Sequence, residues 1–581
     1  MTLPPEVQKR ALQWLKPPFD DETRHQVQNL LDHDPEALID LFYTTISFGT
    51  GGMRGVMGIG TNRMNPYTIR AATQGLANYI LKQKENDTPR VFIGYDCRKN
   101  SRKFAEETAR VLAANGIEAH VTKELRPTPY VSFGCRHLDC IAAVMITASH
   151  NPPEYNGYKV YWSDGAQVVP PHDIGIIEEV KKVERQEDVK IVPFDHLLIH
   201  EVGQDVDDAY YKALAPLQNF PKDNEQSGSK LKLVYSSLHG TGITLMPEAL
   251  KRWGFTDVSF VEKQIIPDGS FPTAHSPNPE QTEALHFGIE QLLREQRDLF
   301  IATDPDADRI GVVVNHHGEA VILSGNQVAA LCLYYLCTTK SKLGTLPENG
   351  AAVTTIVTTD LFPLIATAFN LTCFQVLTGF KYIGEKIHEW ENGLFSFLFG
   401  AEESLGYLYG THSRDKDAMI AGCLLSEIAL QEKARNKTLV DYLHNIYHQF
   451  GLFREKQLSV SFGTGREGAE KMTQLMSELR MAPPKEICGQ QIVTYEDYQT
   501  GVKTHAHSGK KEKLTLPKSN VLVFVLEDES KFIIRPSGTE PKIKIYGMVR
   551  QKLKGDVNEG LQACDRRLDK ILKTLKENHL S

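Results

Sequence analysis

The sequence is poor in cysteine and contains no long apolar run. Its nine cysteines are scattered, and the nearest pairs, Cys135/Cys140 and Cys332/Cys337, do not have the C-x-x-C spacing. This pattern argues against a disulfide framework or a zinc site and predicts a reducing, cytoplasmic location. No apolar segment reaches the ~18 residues of a membrane span, and the first residues carry no signal-peptide pattern. We therefore expect no membrane partner.

The chain also lacks an excess of positive charge. It has 65 Lys and Arg residues against 73 Asp and Glu residues, so its formal net charge is −8. Nonspecific binding of nucleic acids or anionic membranes needs a basic face, so both functions are disfavoured. An anionic small molecule is still compatible with this charge, because a few local cations can form a basic pocket on an acidic protein.

What the sequence does contain is a repeated strand–helix–strand pattern. Residues 1–45 are predicted to be helical, and the pattern then occurs at residues 90–121, 231–261 and 351–377. Three such units predict three related α/β domains. The 581 residues allow three to five domains at ~100–200 residues each.

The last ~130 residues have a different character. Predicted strands cluster here instead of alternating with helices, which indicates an α+β domain. Helices are expected after Ala469 and from about Val557 to Leu575, and the polar stretch Thr500 to Lys513 is predicted to be an exposed loop. The predicted domains are residues 1–200, 201–324, 325–450 and 451–581.

The first candidate site is the string T-A-S-H-N-P, which begins at Thr147 and follows an apolar strand. A Ser, a His and Asn-Pro at a strand end form a rigid, exposed turn, where α/β proteins commonly place ligands. Adjacent residues rarely face each other, so Ser149 and His150 are not by themselves a catalytic pair. The G-x-S-x-G elbow of the hydrolases is absent. An ordinary polar turn is the alternative.

The second candidate site is D-P-D-A-D-R, which contains Asp304, Asp306 and Asp308. In an extended segment these alternating residues point to one side. Three close carboxylates repel one another unless a cation lies among them, and their hard oxygens suit Mg²⁺. The Gly and Glu that an EF-hand would need are missing. An acidic surface loop is the alternative.

Two further strings carry polar groups next to predicted strands. G-A-E-E-S-L-G-Y, from Gly400 to Tyr407, offers carboxylates and a hydroxyl that could bind sugar hydroxyls, or it could be the acidic start of a helix. R-P-S-G-T, from Arg535 to Thr539, combines a guanidinium, hydroxyls and a glycine that suit a phosphate dianion. A hairpin turn is the alternative for this second string.

In this order the four strings resemble the α-D-phosphohexomutases, which include phosphoglucomutases and phosphomannomutases. T-A-S-H-N-P with N-G-Y-K resembles the phosphoserine loop of the family, and D-P-D-A-D-R resembles its metal loop. G-A-E-E-S resembles its sugar-specificity loop and R-P-S-G-T its phosphate-binding loop, while F-G-T-G-G-M-R-G and G-Y-D-C-R resemble first-domain motifs. The resemblance covers nearly the whole chain. It implies three α/β domains with mixed sheets, a C-terminal α+β domain and an active site in the central cleft.

The resemblance also implies a role for individual residues. Ser149 would carry the phosphoryl group and would bind one Mg²⁺ together with Asp304, Asp306 and Asp308. Four neighbours would act in catalysis: Arg54, His150, Lys159 and Arg309. Arg309 would help to neutralise the transferring phosphoryl group, Arg54 would face the phosphate near the serine, and Lys159 would assist proton transfer. Sugar and phosphate binding would fall to Lys381, Glu402, Ser404, Arg535, Ser537, Gly538, Thr539 and Lys544.

The reaction implied is the reversible conversion of a sugar 1-phosphate to the 6-phosphate through a bisphosphate, which for glucose is glucose 1,6-bisphosphate. Most of the rate enhancement would come from charge stabilisation of the transferring group. The Glu-Glu-Ser core favours glucose, whereas Tyr407 stands where many glucose-specific members have His, and this leaves a pentose or mannose phosphate open. Ala307 stands where many members have Gly. A metal-dependent sugar phosphatase and a non-catalytic sugar-phosphate binder are two competing functions for the same set of residues.

Overall fold

The computed structural model describes residues 3–49, 51–83, 88–463, 465–537 and 542–579. Its residues form two compact units. Unit 1 contains Met1–Ser324, Phe380–Gly400 and Ser404–Thr438, and unit 2 contains Gly325–Gly379, Ala401–Glu403 and Leu439–Ser581. Short 3₁₀ helices lie at Gln186–Asp188, Ala215–Leu217, Gly228–Lys230, Thr241–Thr244 and Trp390–Asn392.

The first part of unit 1 is built on a six-stranded sheet. Its elements are α1 (Pro5–Gln13), α2 (Asp21–His33), α3 (Pro35–Phe42), β1 (Gly52–Val56), α4 (Pro66–Gln83), β2 (Arg90–Tyr95), α5 (Ser101–Ala114), β3 (Glu118–Thr122), α6 (Thr128–His137), β4 (Ala142–Ile146), β5 (Tyr155–Trp162), α7 (His172–Lys181) and β6 (Ile199–Val202). The strand order is β1-β5-β4-β2-β3-β6.

The centre of this sheet is parallel and its edge is antiparallel. Strand β2 pairs in parallel with β3 and β4, and every residue of β4 is buried, as expected for a strand covered on both faces. Strand β5 returns antiparallel to β4 and places Lys159 opposite Met145. The pairing therefore brings a lysine next to the loop that follows β4.

The second sheet of unit 1 has five strands in the order β11-β10-β9-β7-β8. The elements here are α8 (Gln204–Leu214), α9 (Pro221–Ser227), β7 (Leu233–Ser236), α10 (Met246–Arg252), β8 (Val258–Phe260), α11 (Glu262–Ile265), α12 (Thr282–Arg294), β9 (Leu299–Thr303), β10 (Ile310–His316) and β11 (Glu319–Leu323). Strand β7 is parallel to β8 and β9, and β10 is antiparallel to β9, so the chain turns sharply between β9 and β10.

A third sheet has four strands in the order β13-β12-β14-β15, with β12 and β13 parallel. The elements of this part of the chain are α13 (Gly325–Leu343), β12 (Gly350–Thr355), α14 (Leu361–Ala368), β13 (Thr372–Val376), α15 (Lys381–Glu389), β14 (Ser396–Glu402), β15 (Gly406–Tyr409), α16 (Ala418–Lys433) and α17 (Leu439–Phe450).

The C-terminal part of unit 2 is an antiparallel sheet with helices. Its elements are β16 (Leu452–Ser461), α18 (Gly465–Met481), β17 (Glu486–Ile487), β18 (Gln490–Asp497), β19 (Val502–His505), β20 (Lys511–Lys513), β21 (Leu522–Leu526), β22 (Lys531–Pro536), β23 (Lys542–Gln551) and α19 (Val557–His579). The sheet order is β16-β23-β22-β21-β18-β19-β20, and β17 pairs with β18.

These elements confirm the predicted fold class. The three predicted strand–helix–strand units are β2-α5-β3, β7-α10-β8 and β12-α14-β13, each with parallel strands. The predicted loop from Thr500 to Lys513 is wrong, because β19 and β20 form an edge hairpin there. An edge strand tolerates lysines and exposed polar residues, which hid the strands from a hydrophobicity pattern. Within the described ranges, no helix has both the length and the apolarity to cross a bilayer.

Candidate active site

The serine loop begins where β4 ends. Ser149 has a φ of 52°, a left-handed conformation that non-glycine residues seldom adopt, and its backbone N–H donates to Thr147 Oγ1 at 2.8 Å. Its side-chain Oγ donates to Asp304 Oδ2 at 2.7 Å and lies 3.1 Å from His150 Nδ1. The structure thus places the predicted nucleophile directly against the predicted metal loop.

The three acids of that loop converge through a turn. The residues between β9 and β10 are not extended, and Ala307 has a φ of 49°. The prediction of an extended segment is therefore wrong. The three acids nevertheless lie close together, with one carboxylate oxygen each of Asp304, Asp306 and Asp308 within 4.8 Å of the others. The backbone N–H of Arg309 also donates to Asp304 Oδ1 at 3.0 Å, which fixes the first acid.

Donors from distant parts of unit 1 surround these acids. Asp306 Oδ2 accepts hydrogen bonds from Thr128 Oγ1 and Lys159 Nζ, both at 2.8 Å. Lys159 Nζ also lies 3.3 Å from Asp308 Oδ2, and Lys416 Nζ lies 3.2 Å from the same oxygen. The backbone N–H of Thr128, at the start of α6, donates to the Asp306 carbonyl at 2.8 Å. Two lysines and a helix N-terminus therefore balance much of the negative charge.

The electrostatics differ between the acids. Burial, together with the charges of Asp306 and Asp308, raises the pKa of Asp304 well above its usual range. Burial also opposes ionisation of Asp306, but Lys159 and Thr128 outweigh it and lower the pKa of Asp306. The pKa of Lys159 is raised, because its two carboxylate partners outweigh the effect of burial. Lys159 is thus a cation in this arrangement, and a further cation beside Asp304 would favour the ionised form of that acid.

The residues fit a divalent metal ion. Asp306 Oδ1 and Asp308 Oδ1 are buried and accept no hydrogen bond from the part of the chain that the structure describes. A buried carboxylate oxygen without a donor is costly unless a cation satisfies it. Hard oxygen donors in this number suit Mg²⁺ or a similar ion. The predicted ligand set, Asp304, Asp306, Asp308 and Ser149, forms one cluster.

The other predicted catalytic residues lie around this cluster. Burial, reinforced by the charges of Arg309 and Arg54, lowers the pKa of His150 well below its usual range, so its imidazole is neutral at pH 7. Arg54 lies on β1 and donates from Nη1 to Asn151 Oδ1 in the serine loop at 3.0 Å. Arg309 donates from Nη1 to Glu280 Oε1 at 3.1 Å. The Arg54 guanidinium is thus held against the serine loop, and that of Arg309 is close enough for its charge to act on His150.

Three of the predicted sugar-loop residues are placed by their strands and helices. Glu402, at the end of β14 in unit 2, is buried and accepts from the backbone N–H of Gly379 at 2.9 Å. Lys381 begins α15 and Ser404 lies between β14 and β15, both in unit 1. Tyr407 is only 1% exposed, and its ring stacks on Phe399 with centroids 6.3 Å apart.

The predicted phosphate loop lies in unit 2. Arg535 is in β22 and pairs in register with Lys544 of β23, so the two cationic residues are neighbours across the sheet. The Ser537 backbone N–H donates to the Lys542 carbonyl at 2.7 Å. Gly538 and Thr539 lie outside the described residues.

Sequence reasoning missed three residues of this site. Thr128 and Lys416 contact the acids, and Arg98 donates from Nη2 to the Ser149 carbonyl at 2.6 Å. Arg98 stood in the quoted G-Y-D-C-R string, and Lys416 lies in the charged string R-D-K-D between β15 and α16, so both carried a signal at a strand end. Nothing in the local sequence distinguishes Thr128 from an ordinary helix start.

Three family models match the chain in order. They are described as phosphoglucomutase/phosphomannomutase α/β/α domains I, II and III, and they match residues 45–187, 208–318 and 324–450. A phosphoglucomutase of Staphylococcus haemolyticus is 38% identical over 507 residues, covering 87% of this chain and 90% of the relative. A phosphoglucomutase of Staphylococcus aureus strain MSSA476 is 35% identical over 555 residues, covering 95% of this chain and 97% of the relative.

Solved structures share the fold. Pp63/parafusin from Paramecium, in an open form, has a TM-score of 0.67 at 19% identity and covers 92% of this chain and 96% of its own. A phosphoglucomutase/phosphomannomutase family protein from Burkholderia thailandensis has a TM-score of 0.64 at 18% identity. The match covers 91% of this chain and 96% of that protein.

The chain belongs to the phosphoglucomutase/phosphomannomutase family. The predicted resemblance is confirmed, and so is the predicted class of enzyme, an isomerase that transfers a phosphoryl group within its substrate.

Proposed function

We propose that this enzyme is a phosphoglucomutase that interconverts α-D-glucose 1-phosphate and glucose 6-phosphate through phospho-Ser149 and glucose 1,6-bisphosphate. The observation that carries the proposal is the 2.7 Å hydrogen bond between Ser149 Oγ and Asp304 Oδ2 in a cluster of three buried acids. A phosphoryl group on this oxygen would lie beside the acids and their lysines. The relatives named phosphoglucomutase support glucose as the sugar.

In the proposed reaction, the free hydroxyl of the sugar monophosphate attacks the phosphorus on Ser149. The bond from phosphorus to Ser149 Oγ breaks, and the hydroxyl proton ends on that oxygen. The bisphosphate then reorients, and its other phosphate returns to Ser149. Arg54 and Arg309 would neutralise charge on the transferring group, and Lys159 would hold Asp306 and Asp308 in place. His150 would support the serine oxygen that it adjoins.

We propose Mg²⁺ as the ion, one per chain, held by Asp304, Asp306, Asp308 and an oxygen on Ser149. When bound, it would stabilise the negative charge that gathers on the transferring phosphoryl group. Glucose 1,6-bisphosphate would act as intermediate and activator, since it can phosphorylate an unmodified Ser149. All nine cysteines are free thiols, which supports the cytoplasm as the location of the enzyme.

For substrate binding, we propose Glu402 and Ser404 as contacts to sugar hydroxyls and Lys381 as an orienting cation. Arg535, Ser537, Gly538, Thr539 and Lys544 would hold the phosphate that is not being transferred. Tyr407, whose deviation from His left a pentose substrate open, is almost fully buried. It offers little surface to a sugar and gives no support to a pentose substrate.

The decisive experiment measures product, free phosphate and phosphoserine together. With Mg²⁺ and a trace of bisphosphate, we expect glucose 6-phosphate from glucose 1-phosphate with little inorganic phosphate, and peptide mapping should place phosphate on Ser149. Ser149→Ala should lose at least ~10⁴-fold in kcat, while Ser163→Ala, an exposed serine beyond β5, should stay active.

Other outcomes would refute the proposal. Stoichiometric release of inorganic phosphate would indicate a phosphatase, and full turnover after chelation would refute the metal. A kcat/KM higher for mannose, glucosamine or pentose 1-phosphate than for glucose 1-phosphate would refute the sugar while leaving the family intact.

A further inference from the structure

The serine loop is tied to a single buried side chain on its inner side. Arg98 follows β2, and its guanidinium donates to four backbone carbonyls of the loop. Its Nη1 donates to the carbonyl oxygens of Pro152 at 2.8 Å and of Tyr155 at 3.0 Å. Nη2 donates to Ser149 at 2.6 Å and to Asn151. The carbonyls of one short loop therefore converge on one cation.

The guanidinium is itself held on its other sides. Arg98 Nε lies 3.3 Å from Asp96 Oδ2, and both side chains are fully buried. Asp96 is fixed in turn by the Arg98 backbone N–H at 2.9 Å and by Ser101 Oγ at 2.7 Å. The ring of Phe271 covers the guanidinium, with Cζ 4.9 Å from the ring centroid.

The segment that carries Phe271 is pressed against Arg98. Phe271 has a φ of 46°, and a Cβ on Gly269 would lie 2.7 Å from Arg98 Cα. Strained backbone persists only where the surrounding structure enforces it. The position of Arg98 is thus set by the segment between α11 and α12 as well as by the loop that follows β2.

This arrangement explains how Ser149 keeps its left-handed conformation. The Pro152 carbonyl also accepts from the Tyr155 backbone N–H at 3.1 Å, but the planar guanidinium is the donor that serves all four carbonyls at fixed angles. A lysine ammonium has three donors on a flexible stem and cannot reproduce that fork. Without it, the loop would relax and Ser149 Oγ would move away from Asp304.

We infer that Arg98 is a positioning residue that holds the Ser149 loop in the geometry that phosphoryl transfer requires. Arg98 acts through the backbone of the loop and has no contact with the reacting oxygen. The inference rests on the proposed function, because it assigns the transfer to Ser149. The effect of Arg98 on the order of the loop can be measured without an activity assay.

The test uses the full-length protein with Arg98→Lys, which keeps the charge and removes the fork. We expect kcat to fall ~100-fold, since a misplacement of about 1 Å costs that much, with KM for glucose 1-phosphate changed less than about threefold. Hydrogen exchange in the peptide spanning residues 147–157 should quicken at least tenfold, while the peptide spanning residues 90–95 should not change. Guanidinium ion at millimolar concentration should restore part of the kcat lost in Arg98→Ala.

The matched control is Arg70→Lys. Arg70 also pairs with a carboxylate, Glu107 at 2.6 Å, and lies over an aromatic ring, Tyr67 at 5.4 Å, but it does not touch the serine loop. It should leave kcat and loop exchange as in the unmodified protein. Equal effects of the two arginine variants would mean a general structural role and would overturn the inference.

A second variant covers the case in which Arg98→Lys does not fold. Phe271→Leu removes the ring and keeps the guanidinium, so it should give a smaller change of the same kind in kcat and loop exchange. A folded Phe271→Leu with unchanged exchange and kcat would overturn the inference. If loop exchange responds as expected but the unmodified protein shows no mutase activity, the proposed function fails while the role of Arg98 in ordering the loop stands.

Discussion

Replacing Lys159 with methionine would test the charge balance of the acidic cluster. The Lys159 side chain is nearly buried, with Nζ 2.8 Å from Asp306 Oδ2 and 3.3 Å from Asp308 Oδ2. Methionine fills a similar volume without a charge. The variant would therefore leave the buried acids with Lys416 as their remaining lysine partner among the described residues.

The expected magnitude follows from these distances. At an effective dielectric constant of about 20, the two attractions amount to roughly 6 and 5 kcal/mol. Burying the charges costs several kcal/mol per ion, and breaking a buried pair typically destabilises a protein by about 3–5 kcal/mol. At about 2.1 cal/mol/K per residue, unfolding of all 581 residues has an entropy of about 1.2 kcal/mol/K, so we expect the melting temperature in EDTA to fall by about 3–4 °C.

The assay compares thermal unfolding in EDTA and in saturating Mg²⁺. Because Lys159 competes with the ion for the same carboxylates, Mg²⁺ should raise the melting temperature of Lys159→Met more than that of the unmodified protein. The control is Lys82→Met, whose lysine pairs with Glu179 at 2.7 Å but is 57% exposed. That exposed pair should contribute less than about 1 kcal/mol.

Two results would refute this reasoning. A loss of stability that Mg²⁺ does not diminish would mean that Lys159 acts by packing, and a loss no larger than that of Lys82→Met would mean that the pair is effectively solvated.

Three further predictions concern the surroundings of the site and unit 2. Thr128→Val removes one donor to Asp306 and should weaken Mg²⁺ binding about tenfold by calorimetry; unchanged affinity would show the hydrogen bond to be incidental. Gly240→Ala would place a Cβ 2.3 Å from Pro305 Cα, so the metal loop must shift, and both Mg²⁺ affinity and melting temperature should fall. Burial, with Asp360 nearby, raises the pKa of Glu455 to about 7. Because the folded state then binds the proton more tightly than the unfolded state, this contribution to stability is full below about pH 4.5 and is lost as the pH rises through about 7. Glu455→Gln should therefore match the unmodified protein in melting temperature at about pH 4 and exceed it at about pH 8, and an equal difference at both values would contradict the shift.

Much of the site was visible in the sequence because its chemistry lies at strand ends. Ser149 follows β4 and the three acids follow β9, each as a polar string after a buried apolar run. The segments that follow parallel strands lie at one edge of the sheet, where ligands commonly bind. A local sequence pattern was therefore enough to find these residues.

What the sequence did not show depends on contacts between distant segments. Thr128 lies 178 residues from Asp306 along the chain, and its hydroxyl resembles any helix-start threonine. The convergence of the acids depends on a turn in which Ala307 is left-handed. Alanine seldom adopts this conformation, so the sequence did not indicate it. The strands β19 and β20 escaped prediction because their pairing, and not their hydrophobicity, makes them strands.

The two lysines that contact the acidic loop are synthesised at different times during translation. Lys159 precedes the acids, but Lys416 follows Asp308 by more than a hundred residues. At roughly 5–20 residues per second, a growing chain would expose an incompletely balanced acidic turn for about 5–20 s before that lysine is made. A truncated chain that ends before residue 416 would therefore carry Ser149 and the three acids without one of the two lysines that contact them.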